Sequence, residues 1–159
     1  MFDIHAYSVA FEAAPIKSGK NYILPFSGNP EVLWGMKGRQ DACGTVNGVQ
    51  IRGQLIKQSD GTWAMVTGPA WWNPIGADPA TGPLLQIVLH PEGPLVEEQS
   101  DDIRAALQQR TAAVDFFYSI APHYRKNWLR WVTDAKRVET RLQRITQMVD
   151  ALEAGQRDR

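Results

Sequence analysis

A single cysteine, Cys43, stands in a chain of 159 residues, so neither an internal disulfide framework nor a metal site built from several thiolates can form. Histidine is almost as scarce. His5, His90 and His123 lie far apart in the chain and form neither His-x-His nor His-Glu-x-x-His, so no zinc motif is written here. Net charge is lacking too: 17 Lys and Arg balance 17 Asp and Glu, unlike the strong excess of a dedicated nucleic-acid binder. The longest uncharged stretch, between Asp60 and Asp78, is interrupted by Pro69, Asn73 and Pro74 and cannot cross a bilayer as a helix. Met1-Phe2-Asp3 brings no basic flank and no secretory pattern, so a cytoplasmic protein is expected. No Gly-x-Ser-x-Gly elbow, Walker loop or Gly-x-Gly-x-x-Gly is present, and no catalytic constellation or cofactor motif can be read.

What the chain does have is unevenly distributed. Nine of its ten prolines and 12 of its 13 glycines precede residue 96, which fits short strands and turns first and helices afterwards. The expected fold class is α+β: a small β-barrel over residues 1–95, then a helical module over 96–159. Gly93-Pro94 and Ser100-Asp101 mark the change of regime.

In the first part, Tyr7, Val9 and Phe11 alternate with small or polar residues and read as a half-buried strand. Tyr22-Ile23-Leu24 reads as a second, closed by Pro25. Asn29-Pro30-Glu31 supplies a capping residue, a proline at the first helical position and an acid in the first turn, predicting a short helix that stops at Gly38. Asn47-Gly48 is the sharpest local signal. Both residues accept positive φ, so a type I′ turn should join two strands there. Leu84 to Leu89 is nearly all apolar and should form a central strand. Six strands with one short helix suggest a small closed or split barrel. Phe11-Glu12-Ala13, Pro25, Gly44-Thr45-Val46-Asn47-Gly48 and the glycine-spaced strands after them resemble a bacterial domain of unknown function, number 1905. That resemblance implies a double-split barrel like those of AbrB-like transition regulators.

In the second part, Ile103, Ala106, Leu107, Ala113, Val114, Phe117 and Ile120 predict one helix, which Ala121-Pro122 ends. Tyr124, Trp128, Trp131 and Val132 mark the next. Leu142, Ile145, Val149 and Leu152 mark a third, ended by Gly155, with a frayed tail over 156–159. The module is thus expected to contain three helices. The run Tyr124-Arg125-Lys126, Trp131, Ala135-Lys136-Arg137-Val138-Glu139-Thr140-Arg141 and Arg144-Ile145 resembles the bacteriocin-protection, YdeI or OmpD-associated family. The resemblance implies an association with bacteriocin protection or envelope stress and no established reaction.

Four groups of residues are candidates for function. Cys43 has no lysine or histidine beside it in sequence and reads as a buried, inert thiol. Glu97, Glu98, Asp101 and Asp102 read as a solvated linker with favourable charge at a helix N-terminus. Trp71 and Trp72 cannot both face one way in an extended segment, so one of them should offer an aromatic contact surface; alternatively they plug the barrel end. Arg125, Lys126, Arg130, Lys136, Arg137, Arg141 and Arg144 form the densest basic run and are the candidate site for a protein or anionic partner. The leading reading is a non-enzymatic interaction protein. A nucleic-acid-binding regulator using residues 123–144 is the alternative, and an enzyme with a pocket between the modules is the third.

Overall fold

The computed structural model describes residues 4–159. The described residues divide into two compact units, one holding residues 4–36 and Gln40–Glu92, the other holding Lys37–Arg39 and Gly93–Arg159. The fold class is α+β.

The first unit is a seven-stranded antiparallel sheet: β1 (Val9–Ala13), β2 (Ile16–Ser18), β3 (Asn21–Phe26), β4 (Gln40–Val46), β5 (Val49–Lys57), β6 (Trp63–Thr67) and β7 (Leu85–Pro91). Their order is β1-β7-β4-β5-β6-β3-β2, one strand more than expected. The sheet curls into a half-barrel. β1 and β3 stand five places apart in the order, yet Phe11 and Phe26 meet edge to face at 5.3 Å across the interior. Helix α1 (Pro30–Trp34) adds one side chain to that interior, Trp34, which packs on Phe26 at 5.6 Å and donates its indole N–H to the Tyr7 carbonyl at 2.9 Å, while Val32 and Leu33 stay exposed. Leu24, Ala42, Val46, Leu55, Met65, Leu85, Ile87 and Leu89 complete the buried face.

Local chemistry explains the connections. Asn29 caps α1 by accepting from the Glu31 N–H at 3.0 Å. The helix stops at Gly35 (φ 68°) and not at Gly38, because Gly35 already supplies the left-handed residue that ends a helix. Asn47 (φ 49°) and Gly48 (φ 81°) form the expected turn between β4 and β5. The Asn47 side chain also accepts from the Gln86 N–H at 2.9 Å, tying the turn to β7. Pro25 does not close β3. It pairs with Ala64 of β6 beyond the end of β2, where one side of β3 is open and a missing N–H costs little. β7 lies between β1 and β4, with Leu85, Ile87 and Leu89 inward and Gln86, Val88 and His90 outward.

The second unit holds four helices among the described residues: α2 (Asp101–Gln108), α3 (Thr111–Ser119), α4 (Pro122–Thr133) and α5 (Val138–Glu153). The single helix expected before Pro122 is broken at Gln109 and Arg110. Leu107 and Ala113 are six positions apart, which in an unbroken helix would turn them roughly 240° from one another. Both are fully buried, so the helix restarts between them. Arg110 takes extended backbone and reaches α5, bonding Asp150 at 2.9 Å and Glu153 at 3.3 Å. Ile103, Leu107, Phe117, Trp128, Val132, Met148 and Leu152 form the core. The tail is not frayed. The Trp128 indole donates to the Arg157 carbonyl at 3.0 Å, and Arg157 and Arg159 lie over the rings of Tyr124 and Trp131.

Candidate functional site

The seven basic candidates separate into two sets. Arg125 is only 2% exposed. It sits in the first turn of α4, where its guanidinium turns back onto the end of α3. Nε donates to the carbonyls of Phe117 at 3.0 Å and Ile120 at 3.2 Å, and the terminal nitrogens donate to Tyr118 at 3.1 Å and Pro94 at 3.4 Å. A helix C-terminus leaves carbonyls without N–H partners and carries partial negative charge, so a cation satisfies both deficits. Phe117 and Tyr118 flank the group at 5.6 and 5.4 Å. A residue so enclosed cannot reach a surface ligand.

Arg141 and Arg144 are also engaged. Arg144 donates to the Trp131 carbonyl at 2.7 Å and lies over its ring at 5.2 Å. Arg141 bonds Asp102 through Nε at 2.7 Å and through a terminal nitrogen at 3.0 Å. Lys126, Arg130, Lys136 and Arg137 are exposed and make no ion pair among the described residues. Lys126 and Arg130 share one stripe of α4, and Lys136 and Arg137 follow it in the connection to α5.

The acidic group is dispersed into local bonds as well. Glu98 accepts from the Leu95 N–H, Glu97 accepts from the Tyr118 hydroxyl, and Asp101 pairs with Arg104. Hydrogen bonds from Arg141 and then from Ser100 hold the Asp102 carboxyl well below the usual carboxylate range. A depressed folded value means that Asp102 contributes stability above its unfolded pKa of about 3.9, and that this is lost as pH falls further. Arg141→Gln should therefore lower stability by a constant amount above about pH 5. The gap between variant and parent should narrow below about pH 4, read as urea midpoints across the acid range. A gap independent of pH would assign the loss to packing.

Trp71 and Trp72 lie in a 3₁₀ turn, Pro69–Trp72, and not in an extended segment. Trp72 is buried, donating to the Thr67 hydroxyl at 2.9 Å and meeting Tyr22 at 6.4 Å. Trp71 is half-buried and donates to the Arg52 carbonyl at 3.0 Å. β6 pairs with β5 only at Leu55, Ile56 and Lys57, so the indole of Trp71 serves a stretch of β5 that no strand covers on that side.

Cys43 differs most from expectation. It is half-exposed on the outer face of the sheet, not buried. The register sets His90 of β7 on one side of it and Arg52 of β5 on the other. No sequence neighbour announced either, because the three residues come from three strands. They line an open groove of about 580 Å³ together with Ser8, Gly44, Thr45, Gln50, Ile51 and Val88. His123 is exposed on α4, its ring tilted against that of Tyr124 at 3.8 Å; the His5 side chain lies outside the described residues. Among the described residues no group of three or more His, Cys, Asp or Glu side chains is placed to hold a metal ion. None of the helices described is long and apolar enough to cross a membrane.

With this geometry in place, a family comparison bears on the helical unit. Residues 98–155 match the family described as Bacteriocin-protection, YdeI or OmpD-Associated. The match spans α2 to α5 and leaves the sheet outside it. No curated protein matches the chain.

Proposed function

We propose that this protein acts by binding rather than by turnover, as an interaction protein in bacteriocin protection or a bacterial envelope-stress response. In this reading its helical unit meets an acidic protein partner through Lys126, Arg130, Lys136 and Arg137. The observation that carries the reading is the split of the basic run. Arg125, Arg141 and Arg144 serve the fold, and the four remaining cations are left to solvent on α4 and the connection after it. Four exposed cations around one helix end suit carboxylates on a partner, where each exposed pair adds little affinity but sets orientation and encounter rate. The match of residues 98–155 to a family whose description names bacteriocin protection supports the setting. The curled sheet supports reading the first unit as a domain-1905-like barrel.

The test is a deletion strain challenged with bacteriocin and complemented with Lys136→Glu/Arg137→Glu. The double variant, accumulating to parental levels, should lose protection. Full protection would refute the basic surface as the contact. Titration of short duplex DNA at about 50 mM salt separates the nucleic-acid alternative. No binding is expected. Binding with a log-affinity against log-salt slope near −3.6, the value for about four phosphate contacts, would transfer these residues to nucleic-acid recognition.

A further inference from the structure

The groove on the outer face of the sheet has no part in the reading above, yet it gathers the one thiol of the chain with an imidazole and a guanidinium. We propose that this groove is a thiol-exchange site, in which Cys43 forms a mixed disulfide with small disulfides whose ends carry carboxylates.

Strand pairing carries the assignment. Residues directly opposite in an antiparallel sheet project from the same face, with Cβ atoms about 4.5–5.5 Å apart. His90, Cys43 and Arg52 are opposite one another across β7, β4 and β5, and therefore form one row. The next row is Val88, Thr45 and Gln50. Ala42, Val46 and Leu89 point inward and are buried, which leaves Cys43 and its row on the outer side. A groove of about 580 Å³ is of the size that takes a small molecule, with Val88 as its apolar side and hydroxyl and amide groups around it.

His90 is arranged as a base. It stands directly opposite Cys43 on the same face of the sheet, where an imidazole nitrogen can take a thiol proton, and its Nδ1 lies 3.2 Å from the Pro91 carbonyl oxygen. Arg52 is arranged as an anion receptor. It spends one terminal nitrogen on Glu92 at 2.7 Å, while its side chain remains 71% exposed. The rest of the fork is left for an incoming carboxylate. The other charged groups of these strands near the row are carboxylates: Glu92, held by Arg52, and Asp41, two residues before Cys43 and only 8% exposed. Neither projects as freely as the guanidinium. An anionic end is therefore drawn to the Arg52 side of the thiol.

The step balances without any further reagent. His90 takes the thiol proton, and the Cys43 sulfur attacks one sulfur of the bound disulfide. The old S–S bond breaks as the new one forms, and the departing thiolate takes the proton back from His90. Cys43 is oxidised to the mixed disulfide and the small disulfide is reduced to one thiol. An excess of that thiol reverses the reaction.

Cys43 is the sole cysteine, so the native full-length protein gives an unambiguous signal. The probes are 5,5′-dithiobis(2-nitrobenzoate), which carries two carboxylates, and the neutral 4,4′-dithiodipyridine. Each is compared with the same reaction of 2-mercaptoethanol at about pH 7. One equivalent of the anionic probe should react, at least about tenfold faster than the reference thiol does, and the neutral probe should show a smaller advantage. Arg52→Gln should cut the preference for the anionic probe at least about fivefold, with Arg52→Lys intermediate. His90→Gln should slow both probes alike at about pH 7 and recover by about pH 9, where solvent deprotonates the thiol. A thiol that reacts only after unfolding, or no faster than 2-mercaptoethanol, would overturn the proposal. So would an unchanged probe preference in both Arg52 variants.

Discussion

Replacing Arg125 by methionine is expected to destabilise the helical unit by about 3–5 kcal/mol, read as a shift of the urea midpoint. Methionine keeps most of the apolar stem and removes the guanidinium. The bonds to Phe117, Tyr118, Ile120 and Pro94 then disappear together, and these carbonyls stay enclosed because Phe117 and Tyr118 cover them. An unmade bond to a buried polar group costs about 1–3 kcal/mol, against the about 0.5–1.5 kcal/mol gained by making an ordinary one. That asymmetry decides the sign. The guanidinium was itself costly to desolvate, and its removal offsets part of the loss, so the sum of four such penalties is an upper bound. Arg125→Lys keeps the charge, but three donors on one nitrogen cannot span the same carbonyls, and a loss of about 2 kcal/mol is expected. A methionine variant within about 0.5 kcal/mol of the parent would mean that water replaces the guanidinium.

The second large effect belongs to the sheet. A Cβ added at Gly44 would stand 1.8 Å from the Val88 carbonyl oxygen and 2.8 Å from its carbon, both backbone atoms of the neighbouring strand. Neither can turn aside as a side chain would. Gly44→Ala must therefore push β4 away from β7 in the middle of the ladder, and a loss of about 3 kcal/mol or more is expected. Gly53 offers the contrast. Its added Cβ would meet the Met65 sulfur at 2.5 Å, the flexible part of a side chain that can swing, so Gly53→Ala should cost about 1–2 kcal/mol. Urea unfolding followed through the tryptophans ranks the two. Equal losses would show that the strands part easily at Gly44.

Gly44 also shows where sequence reading stops. A glycine among β-forming residues suggests a close approach, but it does not name the strand that approaches. Asn47-Gly48 was legible because its conformation is fixed by two residues and their tolerance of positive φ. Asn29-Pro30-Glu31 was legible because a cap acts within one turn. The break between α2 and α3 was present in the sequence as the six-position step from Leu107 to Ala113, and it was hidden because Ala106 and Val114, beside those two, make the apolar pattern look continuous. Pro25 misled because its compatibility depends on where β2 ends, not on its neighbours in the chain.

By itself the sequence determined the α+β division, the hairpin turn, the start of α1 and the apolar faces that pack each unit. All of these follow from backbone preference and periodicity over a few residues. Only the tertiary structure decided which charges and which nucleophile are available. Seven cations looked equivalent along the chain, yet Arg125 was withdrawn because the first turn of α4 meets the bare carbonyls that end α3. Cys43 looked inert because its neighbours in sequence are Ala42 and Gly44. Its chemical neighbours, His90 and Arg52, arrive from other strands, and strand order is set by long-range pairing that no local pattern encodes.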